Sequence, residues 1–252
     1  MKLEFYRITQ KTILGLVLGI VSCYTFGGTP TMNWEIDSKG SPITILTFGL
    51  TVNATASRDE FYFANQFGFT GGGGIGYIGM QPTAYTSDGE MQFRVLFSSF
   101  RKGTVPLYPS CKGGADGSTD GATCRIYVPA TLGALYKLDV KKDGNVLTGT
   151  VTNTKTGRVD VIGKWSVDNE AGNLSRNQVS WVENYLMNNS SFKLTCDVDG
   201  WPYYEVKFSN PVANGGTLAG QISEPDQGST ACPGALVWVH DSTGTLLQGG
   251  YR

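Results

Sequence analysis

The densest run of small polar and acidic residues is CKGGADGSTDGATC, Cys111 to Cys124, in which Asp116, Ser118 and Asp120 alternate before Gly121. Carboxylate and carbonyl oxygens at that spacing resemble the start of a calcium loop, because a hard cation takes oxygen ligands. The bidentate Glu that closes such a loop at its twelfth position is missing, and Tyr127 stands there. Calcium at Asp116, Ser118 and Asp120 is the one cofactor the sequence raises. The alternative is a solvated loop stiffened by a disulfide, a form suited to recognition at the edge of a scaffold.

Paired carboxylates would serve a glycosidase, one as acid and one as nucleophile or base. Glu183 in SWVENY and Glu205 in YYEVKF sit on candidate strands, with Asp88, Glu90, Asp197 and Asp199 as further options. No spacing singles out a pair. Serine catalysis has little support: no GxSxG occurs, and His240 is the only histidine. The glycines of FTGGGGIGYIGMQP, residues 69–82, lack the Lys-Ser/Thr and the helix of a phosphate loop. They read instead as a flexible turn at Gly71–Gly74, with Gly76 and Gly79 allowing backbones to approach across a sheet.

Aromatic residues are the second group able to do chemistry, since a flat ring offers an apolar surface to a sugar's C–H face. The cluster DGWPYYE, Asp199 to Glu205, lies beside Gly and Pro, so Trp201, Tyr203 and Tyr204 are expected to be partly exposed in a turn. Tyr85 and Trp181 complete the ligand-binding set expected from the sequence.

The elements that must hold these residues read as strands. Of 252 residues, 34 are Gly and 12% are aromatic, a composition of strands joined by tight turns. PITILTFGLTVNA (42–54), EFYFANQFGFT (60–70) and EMQFRVLFSSF (90–100) are strand candidates; in the last, Met91, Phe93, Val95 and Phe97 share one face. KDGN around Gly144 is a hairpin signal. VSWVENYLM (179–187) reads as strand rather than short helix. Many short strands with frequent turns predict an all-β fold, an antiparallel β-sandwich of jelly-roll type.

The N-terminus reads as an export signal over residues 1–22, with Lys2, Arg7 and Lys11 before the apolar TILGLVLGIV. IVSC, ending at Cys23, resembles a lipobox that would anchor the protein through a lipid. The alternative is cleavage near Gly27 or Gly28. The leader carries three basic residues and one acidic, leaving 17 basic against 20 acidic and no basic run. That argues against a nucleic-acid partner. Residues 23–252 are expected to form a single β-sandwich domain, with a subdivision near 170 as the alternative. Four cysteines remain, and an even number in an exported chain predicts two disulfides. Proximity favours Cys111–Cys124 and Cys196–Cys232 among the three pairings.

GGIGYIGMQ (73–81), RVLFSSF (94–100) and GKW (163–165) together resemble exported β-rich domains of unknown function. These share a Gly-Tyr-x-Gly-x-Gln strand, a Leu-Phe-Ser-aromatic strand and a later Gly-x-Trp. Phe100 stands where such domains commonly carry Trp. The resemblance covers roughly residues 60–167. It implies an extracytoplasmic domain of the kind found beside carbohydrate-related modules, and it implies no catalytic residues.

These observations together predict an exported, non-catalytic protein that binds carbohydrate or a cell-surface glycoconjugate. A polysaccharide-acting hydrolase and an adhesion protein with a protein partner are the alternatives.

Overall fold

The computed structural model describes residues 30–115, 117–226, 232 and 235–252. The expected export signal and Cys23 lie outside the described residues. Among the described residues no helix is long and apolar enough to cross a membrane.

The chain is all-β and antiparallel, built as two sheets face to face. The front sheet runs, edge to edge, through β15 (Leu218–Ile222), β1 (Thr31–Ile36), β12 (Asn177–Asn184), β3 (Phe61–Gly68), β4 (Ile75–Pro82), β5 (Gln92–Ser99), β8 (Ser118–Pro129) and β7 (Cys111–Ala115). The back sheet runs through β16 (Leu236–Asp241), β17 (Gly244–Gly249), β13 (Tyr204–Ser209), β2 (Ile45–Ala54), β9 (Leu135–Asp143), β10 (Val146–Asn153), β11 (Val159–Ser166) and β6 (Val105–Pro106). The short β14 (Val212–Ala213) bonds both β2 and β15 and joins the sheets at one corner. Strands that follow residue 170 are interleaved with earlier ones: β12 lies between β1 and β3, and β13 between β2 and β17.

Period-two alternation explains why these segments are strands. Leu46, Phe48, Leu50 and Val52 of β2 point inward, as do Tyr136, Leu138 and Val140 of β9. From the front sheet, Trp34, Phe63, Phe67, Phe93 and Phe97 meet them. Trp165 stacks on Phe97 at 4.8 Å between ring centroids, and Trp34 meets Phe48 edge-on at 5.2 Å. Each large side chain so buried contributes about 1.5–3 kcal/mol relative to exposure.

The two disulfides are those favoured by proximity, Cys111–Cys124 and Cys196–Cys232. The first ties β7 to β8. The hairpin between β9 and β10 turns at Gly144, whose φ of 55° is the left-handed value glycine tolerates. The segment 179–187 is strand to Asn184 and then one 3-10 turn, Tyr185–Asn188.

The glycine run of the sequence is an ordered turn. Gly72, Gly73 and Gly74 have positive φ, and the Arg101 side chain lies against them, donating to the Gly72 carbonyl. Arg101 also makes a two-pronged pair with Asp168, at 2.8 Å (Nε–Oδ2) and 2.7 Å (Nη2–Oδ1).

Candidate active site

In an ordinary sandwich the outward face of each sheet is wet. The front sheet departs from this at its centre, where outward residues Tyr62 and Ala64 of β3 and Gly79 and Gln81 of β4 are buried along with their inward neighbours. The outward face is a groove of about 720 Å³. One wall is the β7–β8 hairpin, with Gly113, Gly114, Gly117 and Ser118. The other is the turn carrying Tyr185 and Asn188.

Strand register sets the floor in three rows. Glu183 of β12 is paired with Tyr62 of β3, and Gln81 of β4 with Arg94 of β5. The next row is Trp181, Ala64, Gly79, Leu96 and Arg125, each paired with the one before. The third includes Tyr77, Ser98 and Thr123. The small residues of the middle row make room for rings. A Cβ on Gly79 would sit 2.3 Å from the Phe63 carbonyl oxygen and 2.8 Å from the Tyr62 ring. Tyr77 packs edge-on to Trp181 at 4.8 Å, and Tyr62 does the same at 6.3 Å. Gly79 therefore serves close approach across the sheet, as its setting in the sequence implied.

Polar groups are fixed on this aromatic floor. The Asn188 amide donates to Glu183 Oε1 at 2.7 Å, and the Trp181 indole donates to Oε2 at 3.4 Å. Arg94 organises the facing side: its Nε donates to Gln81 Oε1, its Nη2 donates to the Tyr185 hydroxyl at 3.0 Å, and Asp59 lies 3.3 Å from Nη2. Burial, the largest cause, pushes the Tyr185 phenol up to about 12, so it remains a proton donor at ordinary pH. Arg94 occupies the acceptor oxygens of Gln81 and Tyr185 and leaves the Gln81 NH₂ and the Tyr185 O–H, both on groove-lining residues, as donors.

Behind the wall lies a buried carboxylate. The Glu60 side chain has no solvent exposure; it pairs with Arg58 and accepts from Asn184 Nδ2 at 2.6 Å. Asn184 in turn caps the 3-10 turn by accepting from Leu186 N at 3.1 Å, and Tyr185 N donates to the Glu60 carbonyl at 3.0 Å. This network fixes the end of β12 and with it Glu183, Tyr185 and Asn188.

The structure disperses the residues the sequence assigned to ligand binding. Trp201 is 3% exposed and Tyr204 is 0% exposed, against an expectation of a partly exposed turn. Their bulk is the reason: Tyr204 fills the core beside Phe61 and Phe63, with centroids 5.0 and 6.0 Å away. Burial raises the Tyr204 phenol far above its ordinary range. Tyr203 is on the back of the molecule, its hydroxyl donating to Glu205 at 2.8 Å and its ring under Arg252 at 4.0 Å. Tyr85 is exposed in the loop after β4, apart from the groove lining. Trp181 alone of the set touches the groove's machinery, from beneath. Glu183 and Glu205 are on different sheets and form no pair.

Ser118 and Asp120 lie on the exposed first residues of β8, where the Ser118 hydroxyl accepts from Asp120 N at 3.1 Å, and Asp116 lies outside the described residues. Among the described residues no three His, Cys, Asp or Glu side chains cluster as a metal site. Gln81, Arg94, Tyr62 and Tyr185 were not singled out from the sequence. Tyr62 had a signal, the unbroken run Phe61–Ala64 in place of alternation.

No protein-family model matches this sequence, and no curated protein matches it at a significant level. Two solved structures of scytalido-glutamic peptidase, one with a transition state analog inhibitor and one with a peptide-based transition state analog, align with 89% of this chain and 98% of theirs. Identity is 12% and 14%, and the TM-scores are 0.47 and 0.44. The CBM2 module of Lactobacillus casei BL23 phage J-1 evolved Dit aligns with 58% of this chain and 64% of its own, at 14% identity and TM-score 0.30. At these scores the alignments assign neither residues nor activity. The expectation of a non-catalytic carbohydrate binder is corrected by the geometry: the aromatics on which that reading depended are core or lie on separate surfaces.

Proposed function

We propose that this chain is an exported hydrolase that cleaves an acyl bond, the amide of a peptide in extended conformation, in the front-sheet groove. The observation that carries the reading is one carboxylate, Glu183, held on one wall by Asn188 and Trp181, with donors from Gln81 and Tyr185 oriented by Arg94. Glu183 and Gln81 are two strands apart, roughly 10 Å between backbones, a gap that a substrate carbonyl and a water can fill between the side chains.

In that arrangement Glu183 takes a proton from water as the water oxygen bonds to the carbonyl carbon. The developing oxyanion accepts from the Gln81 NH₂ and the Tyr185 hydroxyl. Collapse of the tetrahedral intermediate breaks the C–N bond, and protonated Glu183 gives its proton to the leaving amine. Glycosyl transfer needs two carboxyl groups about 5–9.5 Å apart. Among the described residues lining the groove, Glu183 is the carboxylate. Two disulfides suit an oxidising compartment, which with the apolar leader supports export.

The test is to secrete the full-length chain through an oxidising route and assay it on unfolded protein and on polysaccharides from acid to neutral pH. Peptide cleavage that drops at least about 100-fold in Glu183→Gln, with folding intact, is expected of a lost general base. A folded wild type that cleaves no peptide, or a Glu183→Gln variant of equal activity, would refute the reading.

A further inference from the structure

The groove is electrically asymmetric. Glu183 stands on one wall, and the floor cation Arg94 is committed to Gln81, Tyr185 and Asp59. At the β7–β8 end lies Arg125, which is exposed, and beyond it the floor opens into a recess of about 320 Å³ lined by Pro109, Ser110, Lys112, Thr123 and Arg125. Thr123 and Arg125 line both the recess and the groove, so the two cavities adjoin.

Register places the cations together. Lys112 is paired with Thr123 across the hairpin, and Arg125 is two residues further along β8, on the same face. The Cys111–Cys124 disulfide, next to Lys112 in sequence, locks the two strands that carry them. Among the described residues, neither Lys112 nor Arg125 has a carboxylate within ion-pair distance; the pairs present engage Arg58, Arg94, Arg101, Arg158, Arg176 and Lys207. Two cations with no carboxylate partner among the described residues flank a recess that adjoins the groove.

We propose that this recess is an anion subsite that takes the carboxylate of an acidic substrate side chain. The proposal rests on the acyl-hydrolase reading and names a specificity within it. Arg125 is four strands from β12, roughly 19 Å between backbones at about 4.8 Å per strand. After the reach of both side chains, an extended substrate at about 3.3 Å per residue places the acidic residue roughly three to five positions from the cleaved bond.

The experiment uses internally quenched peptides with one cleaved bond, mapped by mass spectrometry. Glu is moved through each position against a Gln control, with free and amidated C-termini. A gain of about fivefold in kcat/KM is expected for Glu at one or two positions three to five residues from the cut, equal for both termini, as a partly exposed ion pair provides. The gain should shrink as salt is added. Lys112→Gln, which lies in the recess and not in the groove, should remove most of it while leaving turnover of the Gln peptides unchanged, and Lys112→Glu/Arg125→Glu should shift preference to Lys at the same positions. A gain at no position, a gain confined to free C-termini, or equal loss on Gln and Glu peptides overturns the subsite. If wild type cleaves no peptide, the hydrolase reading has failed, and binding of the same peptides by fluorescence anisotropy decides the subsite. Tighter binding of Glu peptides by wild type than by the charge-reversed variant supports it, and equal binding overturns it.

Discussion

The outward faces of the two sheets are made from similar strands and carry opposite characters. On the back sheet, Thr47, Thr51, Lys137, Asp139, Thr148 and Thr150 are exposed or half-exposed between buried neighbours. Their contacts are local, such as the Thr47 hydroxyl on Asp139 of the adjacent strand. On the front sheet the corresponding face buries Tyr62, Ala64, Gly79 and Gln81, has its own aromatic cluster around Trp181, and holds Arg94 and Glu183 through several partners. A sheet whose second face is also partly buried has a surface kept for something other than solubility. Polar groups there sit in a low dielectric, where each hydrogen bond and charge acts more strongly than on the wet face.

Four experiments break or sharpen this contrast. The largest effect is expected behind the front face. Glu60→Ala leaves Arg58 and the Asn184 amide without their buried partner and should cost about 3–5 kcal/mol in urea unfolding at neutral pH. Equal stability would mean that the network does not hold the wall. Glu183→Gln should lower peptide turnover at least about 100-fold, an effect of about 2.7 kcal/mol on the barrier, while the urea midpoint stays near wild type.

A smaller effect concerns acid. The Arg101 hydrogen bond, the first cause, holds the Asp168 carboxyl at about 2, below its ordinary 3.8. A carboxylate with a depressed folded value contributes stability that is complete above its unfolded value and is lost as pH falls. Wild type should therefore lose stability to urea between about pH 4 and 2 more steeply than Asp168→Asn. Parallel curves would show that this ion pair does not couple to folding. The smallest effect is the control on the back face: Thr150→Lys should change stability by no more than about 0.5 kcal/mol and leave turnover unchanged. A loss of activity there would end the assignment of function to one face.

Much of the scaffold was legible in local pattern. The alternation in β5 and β2, the hairpin glycine at 144 and the spacing of four cysteines were enough for an antiparallel sandwich with two disulfides. The site was only partly legible. Glu183 was recognisable as a carboxylate on a strand, and so was Glu205; the local pattern is the same for both, and only the register places them on different sheets. Trp201 and Tyr204 looked exposed beside Gly and Pro, yet their rings are core.

The sequence by itself determined the alternation of strands such as β2 and β5, the turns and the chemistry available, since these depend on neighbours within a few residues. Which strands lie side by side was decided only in three dimensions. Glu183 and Tyr62 are more than a hundred residues apart, and they face each other because β12 inserts between β1 and β3. Alternation states that a side chain leaves one face of its strand. It does not state whether that face meets solvent, core or a groove, because that depends on the curvature and partners of the whole sheet.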